Sequence, residues 1–160
     1  MAKYLVTGAA GFIASRVCEF LLDQGHQVVG IDNLDPVYDL RIKRWRLDRL
    51  TPRAGFSLNE ESICDQSALK HLVEDHPQIA GIINLAAKAG VRDSVIDPWS
   101  YYDTNLTGTL NLLELSRHYQ IPKFVLASTS SIYGENAPYP TPETTESSFP
   151  LQPYAASKKA

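Results

Sequence analysis

The feature that most restricts this chain lies at its start: an apolar run ending in a glycine loop, a helical pattern, and a second apolar run closed by an acid. Tyr4-Leu5-Val6-Thr7 leads into Gly8-Ala9-Ala10-Gly11. Ile13, Val17, Phe20 and Leu21 then recur at helical spacing up to the stop signal Gly25, and Gln27-Val28-Val29-Gly30-Ile31 closes on Asp32. Short apolar runs bounded by turn residues read as buried parallel strands, so Tyr4 to Asp32 forms one β-α-β unit.

Small residues between a strand and a helix let the backbone approach a pyrophosphate at the positively polarised helix end. This makes Gly8, Ala10, Gly11, Phe12 and Ile13 candidate contacts to a dinucleotide. Ala14 stands where a third glycine is usual and still permits close packing of helix on sheet. A glycine pair alone is more often the mark of a plain turn; strand, loop, helix, strand and acid in that order form a much stronger set. The Asp32 carboxylate can accept hydrogen bonds from the hydroxyls of an adenosine ribose, with Asn33 beside it. A 2'-phosphate would meet its negative charge, so NAD is expected rather than NADP. The bland alternative is a solvated turn acid in Asp32-Asn33.

Further along, Asp39 to Leu50 reads as a charged helix or helical loop, Phe56-Ser57-Leu58 as a weak third strand and Asp65 to Glu74 as a helix. Ile79 to Leu85 reads as a fourth strand and Lys123 to Ala127 as a fifth. Between them the longest helical pattern runs from Pro98 to Tyr119, with Tyr102, Leu106, Leu110 and Leu113 on one face. Strands alternating with helices predict an α/β fold, a doubly wound parallel sheet in the order 3-2-1-4-5. Gly134 to Pro153, rich in Pro, Thr, Ser and Glu, reads as a long loop of the kind that carries function.

Of the 160 residues, 44% are hydrophobic and 21% charged, enough for one sizeable core, and the net charge of -3 with scattered Lys and Arg lacks the footprint of a nucleic-acid binder. Cys18 and Cys64 read as reduced packing residues. The start resembles neither a signal peptide nor a membrane span, and a cytoplasmic protein is expected. His26, His71, His76 and His118 have no metal-ligand spacing, so no metal is expected. Arg41, Lys43, Arg44 and Arg46 read as a solvated helix face, the alternative being an approach to cofactor phosphates.

Thr7-Gly8-Ala9-Ala10-Gly11-Phe12-Ile13, Ile31-Asp32-Asn33-Leu34, Asn84-Leu85-Ala86-Ala87, Ala89-Gly90-Val91-Arg92-Asp93-Ser94, Asn105-Leu106-Thr107-Gly108-Thr109, Ala127-Ser128-Thr129-Ser130-Ser131-Ile132-Tyr133-Gly134 and Tyr154-Ala155-Ala156-Ser157-Lys158 fall in one order along the chain. In these segments the chain resembles the extended short-chain dehydrogenase/reductases from the glycine loop to its last residues. It looks most like their UDP-glucuronate and UDP-glucose 4-epimerases. The resemblance implies a Rossmann NAD-binding domain spanning residues 1–160 that is incomplete, lacking the last strands and the C-terminal substrate domain of relatives. It also implies that Leu85, Ala86 and Ala87 pass close to the cofactor, and that Ile63 lies against the adenine beside Ser62, where relatives often have Asp. Asn105 would be a buried polar anchor.

The same resemblance implies catalysis by Thr129, Tyr154 and Lys158. A phenol with an ordinary pKa of about 10 is a poor base at neutral pH, and a neighbouring ammonium favours the phenolate. Four residues apart on a helix, Tyr154 and Lys158 lie on one face. Tyr154 would take the proton from the sugar O4 as hydride passes from C4 to NAD, Thr129 would hold O4, and Lys158 would bond the nicotinamide ribose. The resulting 4-keto sugar turns over, and hydride returns to its other face. Standing alone, a Tyr-x-x-x-Lys or a Ser/Thr run is more often structural. Sugar 4,6-dehydratases of this family carry Asp-Glu directly after the hydroxyl residue, and the decarboxylases carry Glu where Ser131 stands. Ser130-Ser131 therefore point to epimerisation. A non-catalytic dinucleotide-binding module is the alternative from another class. The resemblance further implies a homodimer in full-length relatives, weakened in a chain cut at residue 160.

Overall fold

The computed structural model describes residues 1–160. Five strands form a single sheet: β1 (Lys3–Thr7), β2 (Gln27–Ile31), β3 (Phe56–Asn59), β4 (Ile79–Asn84) and β5 (Phe124–Leu126), in the order β3-β2-β1-β4-β5. All four pairings are parallel, with Thr7 of the central strand facing Ile31 on one side and Asn84 on the other. The strand order and direction expected from the sequence are those observed.

Alternate residues of the strands feed two cores, as the two-residue period requires. Leu5, Val29, Ile31 and Ile82 pack with Leu69 and Leu72 of α3 (Gln66–Asp75) and with Leu112 and Leu115 of α6 (Gly108–His118). Val6 and Val28 pack on the other face with Ala14, Cys18 and Leu22 of α1 (Phe12–Asp23) and with Leu50 of α2 (Leu40–Leu50). Helices therefore cover both faces of the sheet, and each buried Leu or Val adds about 1.5–3 kcal/mol of apolar burial. Cys18 and Cys64 are both free thiols. No helix is long and apolar enough to cross a membrane.

The chain forms two compact units. The first comprises Met1–Ala86 and Gly108–Leu126, and the second Ala87–Thr107 and Ala127–Ala160. The second unit holds two single-turn helices, α4 (Asp93–Ile96) and α5 (Pro98–Tyr101), a π-helical segment Tyr102–Thr107, a 3-10 turn Ser130–Tyr133 and α7 (Pro153–Lys159). The single helix expected over Pro98 to Tyr119 is thus three consecutive stretches: α-helical, π-helical and again α-helical. The wide turn coincides with Asn105, whose side chain is drawn into hydrogen bonds with backbone elsewhere in the second unit. Gly134 to Gln152 contains no regular element, in keeping with the expected long loop.

Candidate functional site

In the first unit the glycine loop is set by backbone sterics. Gly8 has φ +68°, and a Cβ there would lie 3.0 Å from both Cα and N of Ala86, so both the conformation and the close approach of β4's end require glycine. Gly11 donates its N–H to the Gly8 carbonyl (2.7 Å), and a Cβ on Gly11 would stand 2.9 Å from that oxygen. Helix α1 begins directly after this turn. Its N-cap is Gly11, with no capping side chain, whereas Asp39 caps α2 and Asp65 caps α3. The first-turn amides of α1, those of Phe12, Ile13 and Ala14, have no partner within the helix and match an anionic group in charge and geometry. Phe12 and Ile13 are exposed, and Ala10 is buried.

The Thr7 hydroxyl ties the loop to the end of β4. It donates to Asn84 Oδ1 (2.6 Å) and accepts from the amides of Leu85 (3.0 Å) and Ala86 (2.9 Å), which uses its full capacity. Asn84 in turn donates to the Thr109 hydroxyl (3.0 Å). The Leu85-Ala86 backbone is thereby fixed beside Gly8. Sequence reasoning did not single out Thr7 or Asn84 for this; the available signal was a hydroxyl residue closing the central strand beside an Asn closing its neighbour. Ile63 is buried in the α3/α6 core, and its carbonyl accepts from Asn111 Nδ2 (3.1 Å).

Asp32 closes β2 and is almost wholly buried. Its Oδ2 accepts from the Ala10 amide (3.0 Å), and its Oδ1 accepts from the Leu34 amide (2.8 Å) and from Lys43 Nζ (3.1 Å). Asn33 is exposed, with Oδ1 accepting from the Asp35 amide (3.2 Å). The bland alternative of a solvated acid does not hold for Asp32. The solvated-face reading of α2 also needs correction: Arg41 and Arg44 are exposed, but Lys43 is buried on Asp32. Arg46, half-buried, donates to the Ala10 carbonyl (3.1 Å) and the Tyr38 hydroxyl (2.8 Å). Net charge along the helix concealed which cations turn inward. NAD, the cofactor expected from the sequence, fits this set: uncapped amides for a pyrophosphate, a loop too tight for side chains, and a carboxylate beside them.

The second unit carries the Tyr-x-x-x-Lys. Tyr154 and Lys158 both lie on α7, one turn apart, a rise of about 6 Å. Ser157, fully buried between them, donates to the Tyr154 carbonyl (2.8 Å) and accepts from Asn105 Nδ2 (3.0 Å). Asn105 also bonds both backbone groups of Lys88, accepting from its amide (2.8 Å) and donating to its carbonyl (3.1 Å). The Tyr154 ring meets Tyr101 edge-on, with centroids 6.3 Å apart, and the Tyr101 hydroxyl donates to the Ala89 carbonyl (2.9 Å). Burial lowers the Lys158 ammonium from its ordinary range. Thr129 caps the 3-10 turn: its Oγ1 accepts from the Ser131 amide (3.2 Å) and pairs with the Ser131 hydroxyl (3.2 Å). A bond between two hydroxyls can run either way, which leaves Thr129 able to donate to another acceptor. Ala87 opens this unit and is exposed.

Residues 5–160 match the family model described as GDP-mannose 4,6 dehydratase. The chain is 50% identical over 159 residues to a UDP-glucuronate 4-epimerase of Thermodesulfobacterium geofontis (strain OPF15), covering 99% of this chain and 49% of that protein. It resembles the solved UDP-glucuronic acid 4-epimerase from Bacillus cereus in complex with UDP-glucuronic acid and NAD (TM-score 0.88, 36% identity, 98% of this chain and 49% of that one). It also resembles the UDP-Glc/GlcNAc 4-epimerase of Campylobacter jejuni (TM-score 0.89, 29% identity, 99% and 46%). The chain thus spans about half the length of these relatives.

Proposed function

Since the chain belongs to the GDP-mannose 4,6 dehydratase family, we propose that it is the NAD-binding Rossmann part of a nucleotide-sugar 4-epimerase of the UDP-glucuronate or UDP-glucose type. One observation carries the choice among the family's reactions. Tyr154 and Lys158 share α7 while Thr129 is followed by Ser130 and Ser131, with no carboxylate to eliminate water or assist loss of carbon dioxide. The similarity to UDP-glucuronate 4-epimerases over nearly the whole chain supports the same reading.

Gly8, Ala10, Gly11, Phe12 and Ile13 would receive the pyrophosphate, Asp32 and Asn33 the adenosine ribose, Ile63 the adenine, and Leu85, Ala86 and Ala87 would pass beside the cofactor. When bound, NAD supplies the hydride acceptor and donor at the sugar C4. Tyr154 takes the O4 proton and later returns it, and the nearby Lys158 ammonium stabilises the phenolate. Thr129 donates a hydrogen bond to O4 and so fixes the oxygen that changes charge. A chain of its relatives' length would act in the cytoplasm as a homodimer to which the long helical segment ending in α6 contributes, and the 160-residue chain would dimerise more weakly; Leu110 and Leu113 of α6 are exposed.

Positioning of the sugar contributes on the order of 7–11 kcal/mol to such a reaction. In this reading much of it comes from residues beyond the half spanned here. The test is 4-epimer formation from UDP-glucuronate and UDP-glucose with NAD present. It compares the 160-residue chain with a chain extended to the length of its relatives, and each with its Tyr154→Phe variant. Turnover only in the extended chain, abolished by Tyr154→Phe, is expected. An extended chain that binds NAD without turning over either sugar would overturn the enzymatic reading in favour of a binding module.

A further inference from the structure

For Tyr154 to act as a base its ring must be aimed as well as its helix placed, and different groups do the two. Ser157 donates to the Tyr154 carbonyl (2.8 Å), and Asn105 donates to Ser157 (3.0 Å). These bonds hold the Tyr154 backbone and leave its side-chain torsions open. The phenolic oxygen lies at the far end of the side chain, so a modest rotation carries it beyond the reach of about 2.6–3.2 Å within which a base takes a proton. What the ring meets is Tyr101, the last residue of α5 and only 3% exposed. The two rings stand edge-on at 84° with centroids 6.3 Å apart, an arrangement in which their quadrupoles attract. Tyr101 is itself fixed at its other end. Its hydroxyl donates to the Ala89 carbonyl (2.9 Å), on a turn that Ser94 pins from below: the Ser94 amide donates to the Gly90 carbonyl (3.3 Å) and its hydroxyl to the Val91 carbonyl (2.7 Å). Gly90 has φ +109°, and a Cβ there would stand 3.0 Å from Asp93 Oδ2 and 3.2 Å from the Tyr101 hydroxyl, so the turn closes on that hydroxyl with no room for a side chain. Burial, helped by the Asp93 carboxylate, pushes the Tyr101 hydroxyl above its ordinary range, and it keeps the proton that it gives to Ala89.

We propose that Tyr101 is a positioning residue for the epimerisation: anchored by its hydroxyl on the turn Ala89-Gly90-Val91, it presents the fixed ring against which Tyr154 takes up the orientation that receives the O4 proton. The inference rests on the 4-epimerase reading of Tyr154 and adds a residue which that reading does not use. Ring and hydroxyl have separate duties. The ring sets Tyr154, and the hydroxyl sets the ring. A phenylalanine at this position therefore keeps the contact that matters to Tyr154, whereas an aliphatic side chain fills much of the space and leaves the Tyr154 ring free to turn. Loss of the contact acts on the chemical step and not on the hold over sugar or cofactor, since a base that is turned away slows proton removal without changing what binds.

The test uses the full-length protein with NAD, assayed on UDP-glucuronate and UDP-glucose in light and heavy water, with folding followed by circular dichroism. Tyr101→Leu is expected to lower kcat by about 10- to 100-fold, the range that a misplaced reacting group costs. KM for the sugar should stay within about twofold, and the solvent deuterium effect on kcat should grow as proton removal becomes the slow step. Tyr101→Phe is expected to restore kcat to within about threefold of the unaltered protein, because the ring contact remains. Should Tyr101→Leu not fold, Tyr101→Met, unbranched and adaptable, carries the same expectation. An unchanged kcat in the aliphatic variant, or losses shared between kcat and KM with the deuterium effect unmoved, would reduce Tyr101 to a packing residue and overturn the proposal. So would a Tyr101→Phe variant as slow as Tyr101→Leu, since the ring would then not be what aims Tyr154. An unaltered protein that turns over neither sugar, or one whose turnover survives Tyr154→Phe, would overturn the 4-epimerase reading itself and the role of Tyr101 with it.

Discussion

The two units hold their candidate residues in different ways. In the first, the glycine loop is shaped by what the backbone can do: a positive φ at Gly8, no room for a Cβ on Gly8 or Gly11, and helix amides left uncapped. In the second, side-chain hydrogen bonds hold the Tyr154–Lys158 helix, chiefly the link from Asn105 to Ser157 across 52 residues of sequence. A backbone-built site is compact in sequence because steric limits act between near neighbours. A side-chain-built one draws on groups that only folding brings together. The contrast predicts abrupt failure on adding an atom to the first and graded failure on removing a hydrogen bond from the second.

The largest effect is expected from Gly8→Val. Left-handed backbone at a β-branched residue and a clash with Ala86 together cost about 2–5 kcal/mol, and urea unfolding should show a midpoint lowered accordingly. An unchanged midpoint would break the claim that sterics set the loop. Next comes Asn105→Leu, which strips partners from the Lys88 amide and carbonyl and from Ser157 at a buried position. The cost is about 2–4 kcal/mol, and amide exchange should quicken at Lys88 before it does in the strands. Exchange quickening equally in β1 would mean that Asn105 supports the whole chain and not the second unit alone.

Ser157→Ala removes one buried hydroxyl, costing about 1 kcal/mol. If Ser157 serves to place Tyr154, the variant of the extended chain should lose more in kcat than in KM; equal losses would make its role structural only.

The smallest effects concern pH, and here the two units should respond with opposite sign. Burial pushes the Cys18 thiol up to about 12. The folded state therefore keeps its proton where an unfolded thiol, with a pKa of about 8.5, loses it. That contribution is complete below the unfolded value and is lost as pH rises toward 12. Burial lowers the Lys158 ammonium instead. The folded state is penalised at neutral pH, and the penalty fades as pH rises through the lysine's lowered folded value and on to the unfolded one, about 10.4. Thermal melts from pH 7 to 10 should thus fall less steeply for Cys18→Ala than for the unaltered protein. Lys158→Met should melt higher at pH 7 by a margin that narrows with pH. Parallel curves for either variant would remove its burial from the account.

Much of this was legible beforehand. The apolar runs, the stop at Gly25 and the Asp at the end of the second strand anticipate β1, α1, β2 and the order of the sheet, because period and punctuation are local properties. The long pattern from Pro98 to Tyr119 reads as one helix because its apolar spacing is uninterrupted. The resemblance anticipates Asn105 as a buried polar anchor, which it is, but nothing local reveals the π-helical segment around it. Lys43 reads as part of a solvated face for a similar reason. Among five cations of α2, only the position of β2's end decides which one meets the buried Asp32 carboxylate.

The sequence by itself determined that this chain makes a doubly wound parallel sheet with a tight glycine loop after its first strand, because strand period, helix period and glycine placement are written within a few residues of one another. Tertiary structure alone decided the partners of buried polar groups. These are Lys43 on Asp32, Thr7 on Asn84 and on the amides after β4, and Asn105 on Ser157. A buried donor or acceptor must be satisfied by whatever folding places within about 3 Å of it, and that distance is set by the packing of whole elements, which no local pattern encodes.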